Sequence, residues 1–251
     1  MTKKPIKKTK KDLSKKMPFN FCDQRCEKCN LTDQCLAFQQ RFNQRLKHVM
    51  KGEDPDHPDI VFSDLRKNVH YLVKSIKENM AKEKISLSEL KTKLVQVGFT
   101  AEPEPQHFLL WKKGFQFQRQ TEILLQDLLF QNEETELSEE FLKVKKEIEE
   151  LSWYHHFFLK KLYQALVLQK LLFREKKKEL KEEQEQEMNI AAKLAWQSLN
   201  SCKKDLKEIS FYCLGYRAWA KDLLVLTKLI LEQIETKFPQ AQKTKTIFHG
   251  N

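Results

Sequence analysis

From Ser138 to Gly215 the chain contains no proline and, before Gly215 itself, no glycine. An uninterrupted stretch of that length excludes folds built from many tight turns, because turns draw on the free φ of glycine and the fixed φ of proline. Only five glycines occur in 251 residues, at positions 52, 98, 114, 215 and 250. That scarcity excludes phosphate-cradling glycine-rich loops, which need several glycines close together so that backbone N–H groups can reach the phosphate. Leu, Lys, Glu and Gln dominate the remainder, and all four favour helix. The expected fold class is all-α, a multi-helix bundle preceded by a short four-cysteine segment.

Apolar spacing places the helices. Phe38, Phe42, Leu46 and Val49 predict a helix from about Leu36 to Met50. Gly52 and the run Glu53 to Asp59, with Pro55 and Pro58, break it. A second helix is expected from near Ser63, with Leu65, Val69, Leu72, Val73 and Ile76 as its stripe. Ser86 with Glu89 reads as a capping box for a third, which Gly98 would end. After a loop containing Pro103 and Pro105, helix is expected from about Trp111 to Phe130. Ser138 reads as the N-cap of the next. The charged stretch Arg174 to Glu187 fits either a solvent-exposed helix or a connection. Helix resumes at Met188, and a last one is expected over roughly Phe211 to Phe238. The corresponding organisation is a basic disordered tail at 1–17, a metal-binding segment at 18–36, a helical bundle domain at 37–238 and a frayed tail at 239–251.

The sharpest chemical signal is Cys22-x3-Cys26-x2-Cys29-x5-Cys35. Four thiols in so short a stretch suit one small object, either tetrahedral Zn²⁺ or an iron–sulfur cluster. Only Cys26-x2-Cys29 has the form of a zinc knuckle, and spacings of three and five are more familiar around clusters, so a [4Fe–4S] cluster is preferred over Zn²⁺. The first three cysteines match the C-x3-C-x2-C of radical S-adenosylmethionine enzymes, but strand–helix alternation for their barrel is missing and Cys35 can fill the fourth position. The intervening residues are nearly all polar, as expected of a loop facing outward, with Arg25 and Lys28 placed to offset thiolate charge. The four sulfurs are expected to converge. Cys202 and Cys213, about 16 Å apart on a continuous helix, read as small buried hydrophobes.

Other chemistry finds little support. Glu104-x-x-His107 is one Glu-x-x-His pair where a di-iron bundle needs two, and Pro105 interrupts it. His155 and His156 diverge by about 100° on a helix, so one should pack and the other face water. Trp153, Tyr154, Phe157 and Phe158 read as core packing before base or flavin stacking. No Gly-x-Ser-x-Gly or Cys–His nucleophile arrangement stands out, and whether the chain is an enzyme is left open.

The formal charge is +11, of which the first sixteen residues hold +7 through Lys3, Lys4, Lys7, Lys8, Lys10, Lys11, Lys15 and Lys16 against Asp12. Such a tail implies weak, salt-dependent attraction to nucleic acid or anionic lipid. No apolar run is long enough for a transmembrane helix, and no apolar stretch follows the basic one as in a secretory signal. A cytoplasmic location is expected, where clustered cysteines serve metals rather than disulfides.

The pattern Cys22-Asp23-x2-Cys26-Glu27-x-Cys29-x2-Thr32-x2-Cys35 resembles the N-terminus of a poorly characterised family of bacterial proteins in which a cysteine motif precedes an all-helical body. Trp153-Tyr154, Lys161-Leu162-x2-Ala165-Leu166 and Ala192-Lys193 resemble further signatures of that family, with Gln164 where an arginine is familiar. The resemblance implies a bacterial cytoplasmic protein with a metal-binding N-terminus and carries no activity. The resulting expectation is a metal-binding helical protein that acts through an unknown protein partner. The alternatives are an iron–sulfur redox or electron-transfer component and a nucleic-acid accessory protein led by the tail.

Overall fold

A computed structural model describes residues 21–82, 86, 88–89, 104–133, 139–173 and 178–250. Six helices run through them: α1 (Leu36–Val49), α2 (Pro58–Lys82), α3 (Leu109–Glu133), α4 (Glu139–Leu172), α5 (Lys178–Tyr212) and α6 (Arg217–Lys237). The described residues contain no strand, only one isolated bridge between Cys22 and Ile247, and the all-α expectation holds. The chain divides into two compact units: residues 1–19 with 29–102, and residues 20–28 with 103–251.

The larger unit owns the core. Leu124, Leu151, Leu162, Leu199, Leu206 and Ile230 on α3 to α6 are sealed from solvent. α4 and α5 are long neighbours, joined by four residues outside the described set, and their apolar stripes meet along much of their length. Phe117 of α3 meets Phe158 of α4 edge-to-face, with centroids 5.9 Å apart. Gly114 permits this approach: a Cβ there would sit 3.0 Å from Leu159 Cδ1. Cys202 and Cys213 are buried in this core, and burial raises both thiol pKa values.

In the smaller unit, α1 and α2 form a pair around His48. The imidazole Nδ1 lies 2.5 Å from Glu53 Oε2 and Nε2 lies 2.8 Å from Asp64 Oδ2, which also accepts from Gln44 at 2.5 Å. No residue of α2 is buried.

Several boundaries differ from expectation. α2 begins at Pro58 rather than near Ser63, because proline at the first helical position sacrifices an N–H that has no intrahelical partner. The charged stretch from Lys178 onward is helical and exposed, continuous with the segment expected to resume at Met188. The last helix does not start at Phe211: α5 ends at Tyr212, Cys213 leaves the helix, and a 3₁₀ turn at Leu214–Tyr216 precedes α6. The segment after Phe238 is pinned rather than frayed. Phe238 and Ala241 are buried, Thr246 Oγ1 donates to Gln197 Oε1 at 2.6 Å, and Ile247 bridges Cys22. The capping box forms, with Ser86 N–H donating to Glu89 Oε2 at 2.7 Å and Glu89 N–H to Ser86 Oγ at 3.1 Å. The helix expected beyond it, its stop at Gly98, the cap at Ser138 and the lysines of the tail lie outside the described residues.

Candidate metal segment and its seat on the bundle

Residues 21–28 are fixed to the larger unit by three kinds of bond. The first is the bridge: Asp23 N–H donates to Ile247 C=O at 3.1 Å, and Ile247 N–H to Phe21 C=O at 2.7 Å. The second is a lock around Asp23, which has no exposed surface. Its Oδ2 accepts from the Tyr154 hydroxyl at 2.7 Å and the His249 N–H at 2.6 Å, and its Oδ1 from His249 Nδ1 at 2.8 Å. The Arg25 amide reaches Oδ1 at 3.3 Å, and the Trp153 indole N–H donates to the Asp23 carbonyl at 3.2 Å. A buried carboxylate needs this many donors to offset lost hydration. Tyr154 is held neutral: burial, then the hydrogen bond to Asp23 and its charge, push the phenol pKa far up.

The third bond is ionic. Arg25 donates from a terminal guanidinium nitrogen to Glu150 Oε1 at 3.1 Å, Lys28 Nζ pairs with the same oxygen, and Arg25 Nε pairs with Glu27. Arg25 also lies 5.6 Å from the centroid of the Trp153 ring. The expectation that polar loop residues face outward is therefore corrected at Asp23 and Arg25, which are buried. Arg25 and Lys28 both engage the buried Glu150 of α4. Gln24 takes a left-handed conformation, φ 62°, between the bridge and the 3₁₀ turn at Cys26–Lys28. Such a conformation at a residue with a Cβ costs of order 1 kcal/mol or more.

The cysteines are placed as follows. Cys22 and Cys26 belong to the larger unit, Cys29 and Cys35 to the smaller. Cys22, Cys26 and Cys29 are half-buried, and Cys35 is buried at the N-terminus of α1. The Leu31 amide donates to Cys29 Sγ at 3.4 Å. Lys161 is a buried lysine whose pKa is lowered, first by burial and then by Lys160, with Cys22 opposing the shift. Among the described residues no three or more His, Cys, Asp or Glu side chains gather as a metal ion would require.

The remaining candidates resolve in detail. His155 is buried and His156 exposed, as the helical divergence requires. His155 Nδ1 donates to the Leu151 carbonyl at 2.7 Å, its Nε2 has no hydrogen-bond partner, and burial followed by repulsion from His156 lowers its pKa to about 4. Glu104 and His107 sit at either end of a 3₁₀ turn. Tyr154, Phe157 and Phe158 are buried, as core packing demands; Trp153 is partly exposed.

Sequence reasoning missed Asp23, Glu150 and His249. The signal available was a charged residue inside an apolar helical stripe, which Glu150 supplies; Asp23 stands in the cysteine motif, but nothing local marks its bonds to Tyr154 and His249, which lie 131 and 226 residues away. In comparison with known proteins, the chain matches no family model, no curated sequence and no solved structure.

Proposed function

We propose that Cys22, Cys26, Cys29 and Cys35 hold a metal centre, a [4Fe–4S] cluster in preference to Zn²⁺, and that the protein uses it as a docking or redox-sensitive element toward a protein partner. The observation that carries this reading is the Leu31 amide directed at Cys29 Sγ, in a segment where four thiols fall within fourteen residues. An N–H donor on sulfur stabilises the thiolate that a metal needs, and such contacts tune bound clusters. The donor set is chemically suited to either centre. Bound there, a cluster would supply one-electron chemistry, whereas zinc would supply order alone.

The chain's own contribution is positional. Asp23 fixes the backbone beside Cys22, and Arg25 and Lys28, held on Glu150, fix the turn that begins at Cys26. The bundle thus sets the place of two thiols whatever the centre. The test is element analysis of untagged protein purified without oxygen. Iron and acid-labile sulfide with absorbance near 400 nm are expected. A colourless protein with one zinc per chain would replace the cluster by zinc, and a protein without stoichiometric metal after reconstitution with either would end the proposal.

A further inference from the structure

α2 carries an apolar face that none of the described residues of its unit covers. Phe62, Leu65, Val69, Leu72 and Ile76 repeat at spacings of three and four, and each is between 44% and 61% exposed. At 100° per residue they fall within an arc of roughly 80°, which Val61 and Val73 widen to about 120°. Along one flank of that arc run Arg66, His70 and Lys77, while Lys74 and Lys67 lie nearly opposite its centre. Arg66, Lys67, His70, Tyr71 and Lys74 line one shallow cleft.

Asp59 shares this flank at the first turn, and Arg66 and Lys77 keep it net basic. Asp64 and Glu78 lie on the far side, pairing loosely with Lys67 at 3.5 Å and Lys74 at 3.9 Å. No described helix is long and apolar enough to cross a membrane. An apolar arc with a basic border and low overall hydrophobicity is the pattern of a helix that lies in a lipid interface. We propose that α2 lies along an anionic lipid surface, its apolar arc at the acyl boundary and its basic flank among the headgroups.

Charge selects this occupant over the others. A second copy would bring two identical basic flanks together on chains that each carry +11, which opposes pairing. Nucleic acid would satisfy the lysines and leave the apolar arc in water. An anionic bilayer satisfies both, since surface lysines gain from the negative potential and the arc gains from leaving water.

The test uses the full chain and sedimentation with vesicles of phosphatidylcholine alone or mixed with phosphatidylserine. Binding is expected only to the mixed vesicles. The pair Leu65→Ser/Leu72→Ser keeps every charge, including those of the N-terminal lysines, and should weaken binding about tenfold or more. Arg66→Glu/Lys77→Glu should remove the preference for phosphatidylserine. Phe62→Trp should add a blue-shifted emission on mixed vesicles that the unsubstituted protein lacks. Equal binding by the serine pair, or no shift from Phe62→Trp, would overturn the proposal. So would a dimer in sedimentation equilibrium that the serine pair dissociates while vesicle binding stays unchanged, because the face would then belong to a second copy.

Discussion

Asp23 shows how a single buried carboxylate organises distant parts of a chain. It gathers a hydroxyl from α4, two N–H groups of His249 and one from Arg25. Removing one donor leaves charge without compensation, so Tyr154→Phe should cost about 1–3 kcal/mol. The loss should appear in thermal unfolding and in faster amide exchange at residues 21–28 and 247–249; unchanged exchange there would contradict the lock. His155 offers a pH signature. Its folded pKa is lowered to about 4 by burial, below an ordinary value of about 6.5. Its neutral form is therefore favoured in the fold, and this contribution is complete above about pH 6.5 and lost as pH falls toward 4, to the extent of roughly 3 kcal/mol. A His155→Gln variant should flatten that part of the stability–pH curve, measured by denaturant unfolding at each pH.

At the scale of elements, the α1–α2 pair has the opposite sign. Hydrogen bonds that His48 donates to Glu53 and then to Asp64 raise its pKa, so the protonated form is favoured. The clasp is fully present below about pH 6.5 and is lost as pH rises through the raised value. Proton NMR titration of His48 should give a pKa above the ordinary one, and Asp64→Asn should bring it down. Glu53 stays ionised to lower pH because of its bond to His48, which keeps the clasp intact on the acid side. The C-terminal segment is an element of another kind, a 3₁₀ turn at Ala241–Lys243 followed by an extended strap that bridges Cys22 at Ile247. A Cβ at Gly250 would lie 2.5 Å from Phe248 Cε1 and 2.9 Å from Ser201 Oγ, so Gly250→Ala should unseat the strap and, through His249, loosen Asp23.

For the whole molecule, the division of labour between the units follows from their interiors. The larger unit has a continuous apolar core across α3 to α6. In the smaller unit the buried side chains among the described residues are Cys35 and His48, so its described part rests on polar contacts, to which the proposed metal centre would add. Cys29→Ser should therefore leave the cooperative unfolding of the larger unit in place, followed by far-UV circular dichroism, while raising amide exchange from Cys29 through α1. A global loss of helix would show that the bundle depends on the four-cysteine segment.

The all-helical class was legible in the sequence because helix is a local property: scarce glycine and proline, good helix formers and a period near 3.6 act within a few residues. The histidine pair was legible for the same reason, since 100° of divergence on α4 fixes one ring inside and one outside. The four cysteines announced themselves by spacing alone. What the sequence did not contain was which apolar stripes would find a partner. The stripes of α2 and α4 look alike as patterns, yet one is exposed and the other is core, because burial depends on which faces the chain brings together. Tertiary structure also gave Arg25 and Lys28 a partner that the sequence did not indicate, the buried Glu150 of α4. It made a bonded strap of a C-terminus that composition marked as loose. Asp23 and His249 stand 226 residues apart, and no local rule spans that distance.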